Sequence, residues 1–202
     1  MSFKKIIEPL KNNLIDQGVL KPNALQTQIL SKIKGGTSMF VIAPKGSGKT
    51  TSMIISVINK LKHAFEDAPR ALIFVKDKNE ALELTQLFNY YKRGTDLRVY
   101  CAYEQKNIDA QRDEIYEGTD IVIATPKRLN AIFYLNGINL NKLQMFIVED
   151  ADFLFRNNHF AEVNRTPESI GKCQYLVFAE NYDDRFDRWQ DAFMFNSEII
   201  NF

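Results

Sequence analysis

Cysteine is scarce in this sequence: two residues in 202, Cys101 and Cys173. A disulfide scaffold is excluded. Each cysteine lies in an apolar run that reads as a strand, so reduced core thiols are expected rather than a disulfide or a metal site. Charge of one sign is lacking too. Lys plus Arg number 26 against 25 for Asp plus Glu, a net charge of +1. A non-specific nucleic-acid coat needs a basic excess, although a local basic face stays open. No apolar run approaches the roughly 18 residues of a membrane span. The N-terminus, MSFKKIIEPLKNNLIDQG, lacks the apolar core of a signal peptide. A soluble, cytoplasmic protein with no membrane partner is expected. Linkers, low-complexity tracts and repeats of 20–50 residues are missing. His63 and His159 are isolated, without metal-ligand spacing, and are assigned no chemistry.

What is there is a globular composition, 45% hydrophobic and 25% charged. Disorder and collagen-like repeats are thereby excluded. A chain of this length makes one domain and hides about 70% of its unfolded surface, enough for a real core. Short apolar runs recur at Met39–Ala43, Ala71–Val75, Leu97–Ala102, Asp120–Ala124, Gln144–Val148 and Gln174–Ala179. Longer amphipathic stretches lie between them, at Thr50–Phe65, Asn79–Tyr91, Ile108–Tyr116 and Lys127–Tyr134. This alternation predicts an α/β fold with a mostly parallel sheet, right-handed crossovers and helices on both faces. The strand runs are almost continuously apolar, as two covered faces require. Ser197–Phe202 reads as one more short strand. Residues 1–35 are purely helical in pattern, with Ile6, Ile7, Leu10 and Leu14 at helical spacing. They form an N-terminal arm, which Gly35-Gly36 ends before the main domain, residues 36–202.

The strongest chemical signal is Ala43-Pro44-Lys45-Gly46-Ser47-Gly48-Lys49-Thr50. It follows a predicted strand and opens a predicted helix, the context that a phosphate-binding loop needs. Gly46 and Gly48 allow backbone conformations that a Cβ would forbid, so N–H groups can turn inward at a phosphate. The helix N-terminus adds partial positive charge. Lys49 can reach the β and γ phosphates, and Thr50 can place its hydroxyl on Mg²⁺. Ala43 stands where the usual first Gly would be. The bland alternative is a Gly-rich turn with no ligand. Such a loop serves kinases, GTPases, motors and translocases alike, so other residues must discriminate.

Further elements, in order, make the chain resemble the N-terminal RecA-like lobe of DEAD-box RNA helicases, in divergent form. Gly18, Pro22 and Gln26 match the spacing of that family's Q motif, with Val19 in place of an aromatic. The resemblance makes Gln26 the reader of adenine, since its amide can donate and accept at once. Phe3 lies about where the family carries an isolated aromatic; it can equally be a staple under the first helix. Thr125-Pro126-Lys127-Arg128 resembles the Thr-Pro-Gly-Arg element that contacts the RNA backbone, with Lys127 replacing Gly. Thr125 as N-cap with Pro at N1 would be sound by itself. Lys78 keeps a positive charge where an RNA-contacting Arg is expected. Glu149-Asp150-Ala151-Asp152 takes the place of the Asp-Glu-Ala-Asp box, with its first two acids exchanged. In that box the first acid holds Mg²⁺ through water and the second orients the attacking water. Successive residues at a strand end point different ways, so Glu149 and Asp150 cannot simply trade roles. The bland alternative for these acids is capping of the next helix.

The resemblance thus implies a RecA-like ATP-binding domain with ATP and Mg²⁺ as cofactors. Ala43, Lys45, Gly46, Ser47, Gly48, Lys49, Thr50 and Gln26 bind nucleotide. Thr50 and Glu149 hold the metal; Lys49, Glu149 and Asp150 are catalytic. Lys78, Thr125, Lys127 and Arg128 contact single-stranded RNA. Departures accumulate as well. Ala102-Tyr103-Glu104 replaces a Gly-Gly pair, and Ala179-Glu180-Asn181 replaces Ser-Ala-Thr. The family's second lobe, which supplies arginine fingers, would begin where this sequence stops. Weak or no hydrolysis alone, and no unwinding alone, is therefore expected. An active RNA-stimulated ATPase completed by a partner lobe, a second copy or a longer chain is the first alternative. A regulatory or scaffolding domain on an old nucleotide fold is the second. Lys4, Lys5, Lys11 and Lys21 could make a basic face, or merely a solvated one.

Overall fold

A computed structural model describes residues 3, 6–156 and 159–202. Lys4 and Lys5 of the suggested basic face lie outside the described residues. Lys11 sits 3.8 Å from Glu8 in an exposed pair.

The chain opens with α1 (Glu8–Asp16) and α2 (Ala24–Lys34), then alternates strand and helix. The strands are β1 (Met39–Ile42), β2 (Ala71–Phe74), β3 (Val99–Ala102), β4 (Ile121–Ala124), β5 (Met145–Val148), β6 (Gln174–Ala179) and β7 (Glu198–Asn201). They form one seven-stranded sheet in the order β3-β4-β2-β5-β6-β1-β7. Every pairing is parallel. Between strands lie α3 (Lys49–Leu61), α4 (Lys78–Tyr91), α5 (Ile108–Tyr116), α6 (Pro126–Tyr134), α7 (His159–Asn164) and α8 (Asp187–Ala192). This is the RecA-like α/β fold.

Strand alternation sorts the core into two layers. Met39, Val41, Ile73, Ile123, Ile147 and Phe178 face α1 to α4. Phe40, Leu72, Phe74, Phe146, Val148 and Val177 face α5 to α8. Side chains two apart share a face, so runs that are apolar at every position supply both layers. Cys101 and Cys173 are free, half-buried thiols on the margins of opposite layers. Arm residues Leu10, Leu14, Leu25, Ile29 and Ile33 belong to the same core as the first sheet face.

The predicted helix Thr50–Phe65 stops early, at Leu61. Lys62 turns into the left-handed region at φ +65°. The turn presents the Leu61 and His63 carbonyls to the Arg70 guanidinium, at 3.4 and 2.5 Å. Arg70 in turn pairs with Asp120 at 2.6 Å, both nearly solvent-free. A long-range ion pair thus ends the helix, which local periodicity could not foresee. At the other end of the arm, Gly36 adopts φ +89°, where L side chains are strained, and closes α2 before β1. The helices α7 and α8 have six residues each, too short to leave a periodic pattern.

Candidate nucleotide site and a polar edge beside it

All C-terminal strand ends point to one edge of the sheet, where open α/β sheets bind ligands. The loop after β1 runs into α3 there. Gly46 and Gly48 take φ +75° and +93°. A Cβ on Gly48 would lie 2.8 Å from Asn23 Nδ2 and 3.0 Å from Gln26 Nε2. The positive φ calls for glycine at 48, and a side chain there would also push the Asn23 and Gln26 amides aside.

The approach of the arm is bonded. Asn23 Nδ2 donates to the Ser47 carbonyl at 2.8 Å. Asn23 also caps α2 in a reciprocal box: Gln26 N–H donates to its Oδ1 at 2.9 Å, and Asn23 N–H donates to Gln26 Oε1 at 3.0 Å. Such a box satisfies two orphan N–H groups at a helix start. Gln26 is buried, only 4% exposed, so it is no ordinary surface residue. Its carbonyl already accepts one bond, and its amide nitrogen faces the loop. Phe3, Pro22 and Gln26 are among the residues lining an 810 Å³ groove along α2 and α3.

A second cleft, of 490 Å³, is lined by residues 44–51, Val75, Glu80, Glu83, Leu84, Leu87, Glu149 and Asp150. Lys49 is buried, and its ammonium donates back to the carbonyls of Ala43 and, at 3.2 Å, Pro44. Thr50 donates its hydroxyl to Glu149 Oε1. Glu149 Oε2 is sealed from solvent without a partner. Burial pushes the Glu149 carboxyl up to about 7, against the pull of the Thr50 hydrogen bond. The neighbouring Asp150 pushes in the same direction as burial, and Lys49 opposes both. An unsatisfied buried carboxylate oxygen beside a Thr hydroxyl fits a divalent cation, which would supply the missing charge.

Asp150 differs in backbone and bonding. It adopts φ +50°, sits before the 3₁₀ turn Ala151–Phe155, and makes no capping hydrogen bond. Its left-handed backbone is a conformation that Asp tolerates better than most residues. It lines the same cleft as Thr50 and Glu149. Helix capping therefore does not account for this acid.

Other contacts at this edge were not foreseen. Lys45 pairs with Glu180 at 3.3 Å, which raises the Lys45 ammonium above its ordinary range. Asp152 accepts from the backbone N–H groups of Glu180 and Asn181, at 2.7 and 3.1 Å. The ends of β5 and β6 are thus joined without hydroxyl side chains. Asn23 alone had a usable signal, the Asn-x-x-Gln spacing of a capping box.

The candidate RNA contacts gather on the neighbouring ends of β2, β4 and β3. Lys78 lies 5.4 Å over the Tyr103 ring. Lys127 is exposed. Thr125 occupies the N-cap position of α6 with Pro126 next, yet its hydroxyl makes no capping bond. It donates to Glu104 Oε2 at 2.9 Å. Arg128 donates through Nη2 to the Glu104 carbonyl, while its Nε is sealed from solvent without a partner.

A parallel seven-stranded sheet with a glycine loop at the end of β1 defines the class: an α/β domain of RecA-like fold. The DEAD/DEAH box helicase family model matches residues 23–179. The chain belongs to that family. Among relatives it is 29% identical over 153 residues to a pre-mRNA-processing ATP-dependent RNA helicase PRP5 of Candida albicans, covering 72% of this chain and 17% of that protein. It is 27% identical over 166 residues to a probable ATP-dependent RNA helicase DDX46 of Homo sapiens, covering 79% and 16%. With a probable ATP-dependent RNA helicase ddx52 of Dictyostelium discoideum it shares 26% identity over 160 residues, covering 79% and 24%. The chain therefore spans less than a quarter of these relatives. The fold matches a crystal structure of a DEAD box protein from Methanococcus jannaschii with a TM-score of 0.89 and 21% identity. That match covers all of this chain and 56% of the other.

Proposed function

We propose that this chain is an ATP-binding, Mg²⁺-dependent, RNA-contacting lobe that hydrolyses ATP weakly or not at all alone. The carrying observation is the joint between arm and loop: Asn23 holds the Ser47 carbonyl while Gln26 packs against Gly48. The closeness of the Gln26 amide to the glycine loop supports reading the one as a base reader and the other as a phosphate cradle. The Gln26 carbonyl has a second lone pair for an adenine N6–H, and its NH₂ can donate to N7. Residues 43–50 act as a P-loop: Lys49 leaves the Ala43 and Pro44 carbonyls for phosphate oxygens, and the backbone N–H groups of the loop bind the rest. Thr50 and Glu149 hold Mg²⁺, which neutralises phosphate charge when bound. Asp150 accepts a hydrogen bond from the attacking water, from a position one methylene shorter than Glu would give. A misplacement of about 1 Å costs on the order of 10²-fold in rate. Lys78, Thr125, Lys127 and Arg128 contact single-stranded RNA, and the cytoplasm is the proposed location.

The test is steady-state MgATP hydrolysis by the purified chain, with and without single-stranded RNA, over a range of protein concentrations. Binding of ATP with little turnover is expected, and Lys49→Ala should abolish the binding. Normal ATP affinity in Lys49→Ala would overturn the loop assignment. RNA-stimulated turnover whose specific activity climbs with concentration would favour the reading in which a second copy completes the site.

A further inference from the structure

Two strand ends meet at an arrangement that the nucleotide site does not use. β3 and β4 pair with Ala102 opposite Ala124, so Thr125 leaves its strand level with Tyr103, one residue before Glu104 on the adjacent strand. Thr125 then starts α6, whose first N–H groups carry partial positive charge. Glu104 receives the Thr125 hydroxyl on its carboxylate and the Arg128 Nη2 on its main-chain carbonyl. Thr125, which would otherwise cap α6, is turned away from that task. The Arg128 Nε stays partnerless and shut off from water. A guanidinium recognises a phosphodiester best with two parallel N–H donors. Here one donor is diverted to a carbonyl and another is left over.

We propose that Glu104 is an internal phosphate mimic that closes this edge to nucleic acid. Its carboxylate takes the Thr125 hydroxyl, and its main-chain carbonyl takes the Arg128 Nη2. A phosphodiester must displace the Glu104 carboxylate before the Thr125 hydroxyl and the unpartnered Arg128 Nε can grip it. The inference rests on the RNA-contacting reading above and adds a specificity-determining residue to it.

The experiment compares the unmodified chain with Glu104→Gln and Glu104→Ala. One readout is fluorescence anisotropy of a labelled oligouridylate of about ten nucleotides, a length within ordinary single-strand site sizes. The other is the Arg128 Nε–H resonance titrated with inorganic phosphate, which needs no RNA. Removing the competing charge should tighten oligouridylate binding about five- to tenfold at low salt. Phosphate should shift the Arg128 resonance in both variants and not in the unmodified chain. A purely structural Glu104 would instead lower thermal stability with no gain in affinity, and that result overturns the proposal. RNA binding that is equal in all three proteins also overturns it and leaves the RNA reading standing. Phosphate reaching Arg128 only in the variants, with no RNA bound by any protein, upholds the mimic and overturns the RNA reading. Neither ligand bound by any variant overturns both.

Discussion

Glu149 and Asp150 are neighbours in sequence with different bonding. Both line the cleft, but one is tied to Thr50 with an oxygen sealed from water, while the other stands on a left-handed backbone without a capping bond. Neighbouring residues at a strand end diverge, so exchanging the two acids changes chemistry rather than only order. Asp120 shows the converse, a buried acid with every need met. Burial alone would raise its carboxyl. The Arg98 and Arg70 guanidinia and the Arg98 and Phe65 N–H groups outweigh burial and hold it below the ordinary carboxylate range. A folded-state value below the unfolded one means that the unfolded chain binds more protons. The stabilisation is then complete above the unfolded value near pH 4 and fades as pH falls through the folded one. Asp120→Asn leaves Arg70 buried beside a neutral amide and should cost about 3–5 kcal/mol. It should also flatten the acid limb of stability against pH. Denaturant titrations from neutral pH down to about pH 3 check both, since this spans the ordinary carboxylate range.

The start of α2 joins the arm to the loop at the scale of the element. Asn23 caps the helix through its side-chain oxygen and holds the Ser47 carbonyl through its side-chain nitrogen. Asn23→Ala removes both. Loss of the cap should cost about 1 kcal/mol of stability. ATP affinity should fall as well, because the loop loses its outer tether. Asn23→Asp separates the two effects: the cap survives, the donor to Ser47 does not. Calorimetric titration with MgATP together with thermal unfolding of both variants is the measurement. Undiminished ATP affinity in both would show that the tether has no part in nucleotide binding.

Across the whole molecule, the arm and the sheet share one core. Leu10, Leu14, Leu25, Ile29 and Ile33 are at most 1% exposed and pack in the layer that holds β1 and α3. Each such side chain contributes about 1.5–3 kcal/mol by burial, and whole domains are stable by only about 5–15 kcal/mol. A chain starting at residue 36 should therefore be unfolded or molten, with lost near-ultraviolet circular dichroism and exposed apolar surface. A cooperative unfolding transition near that of the full chain would show instead that residues 36–202 stand alone. Among the described residues, no helix is long and apolar enough to cross a membrane.

The alternation of apolar runs with amphipathic stretches was enough to determine the parallel sheet and the order of its elements. Burial on both faces leaves the same apolar mark whatever the neighbours are. The glycine loop was equally legible, since Gly46 and Gly48 must take positive φ locally. Gln174–Ala179 and Ile108–Tyr116 were bounded correctly from pattern alone. Where elements stop was another matter: Leu61 ends α3 because Arg70, bound to Asp120, claims the turn carbonyls. The partners of the candidate site were also decided only in three dimensions. Lys45 with Glu180, Thr125 and Arg128 with Glu104, and Asn23 with Ser47 each join residues 20 or more positions apart. A sequence states which charges and hydrogen-bonding groups exist. Which of them meet depends on sheet order, and sheet order is set by the packing of the whole chain.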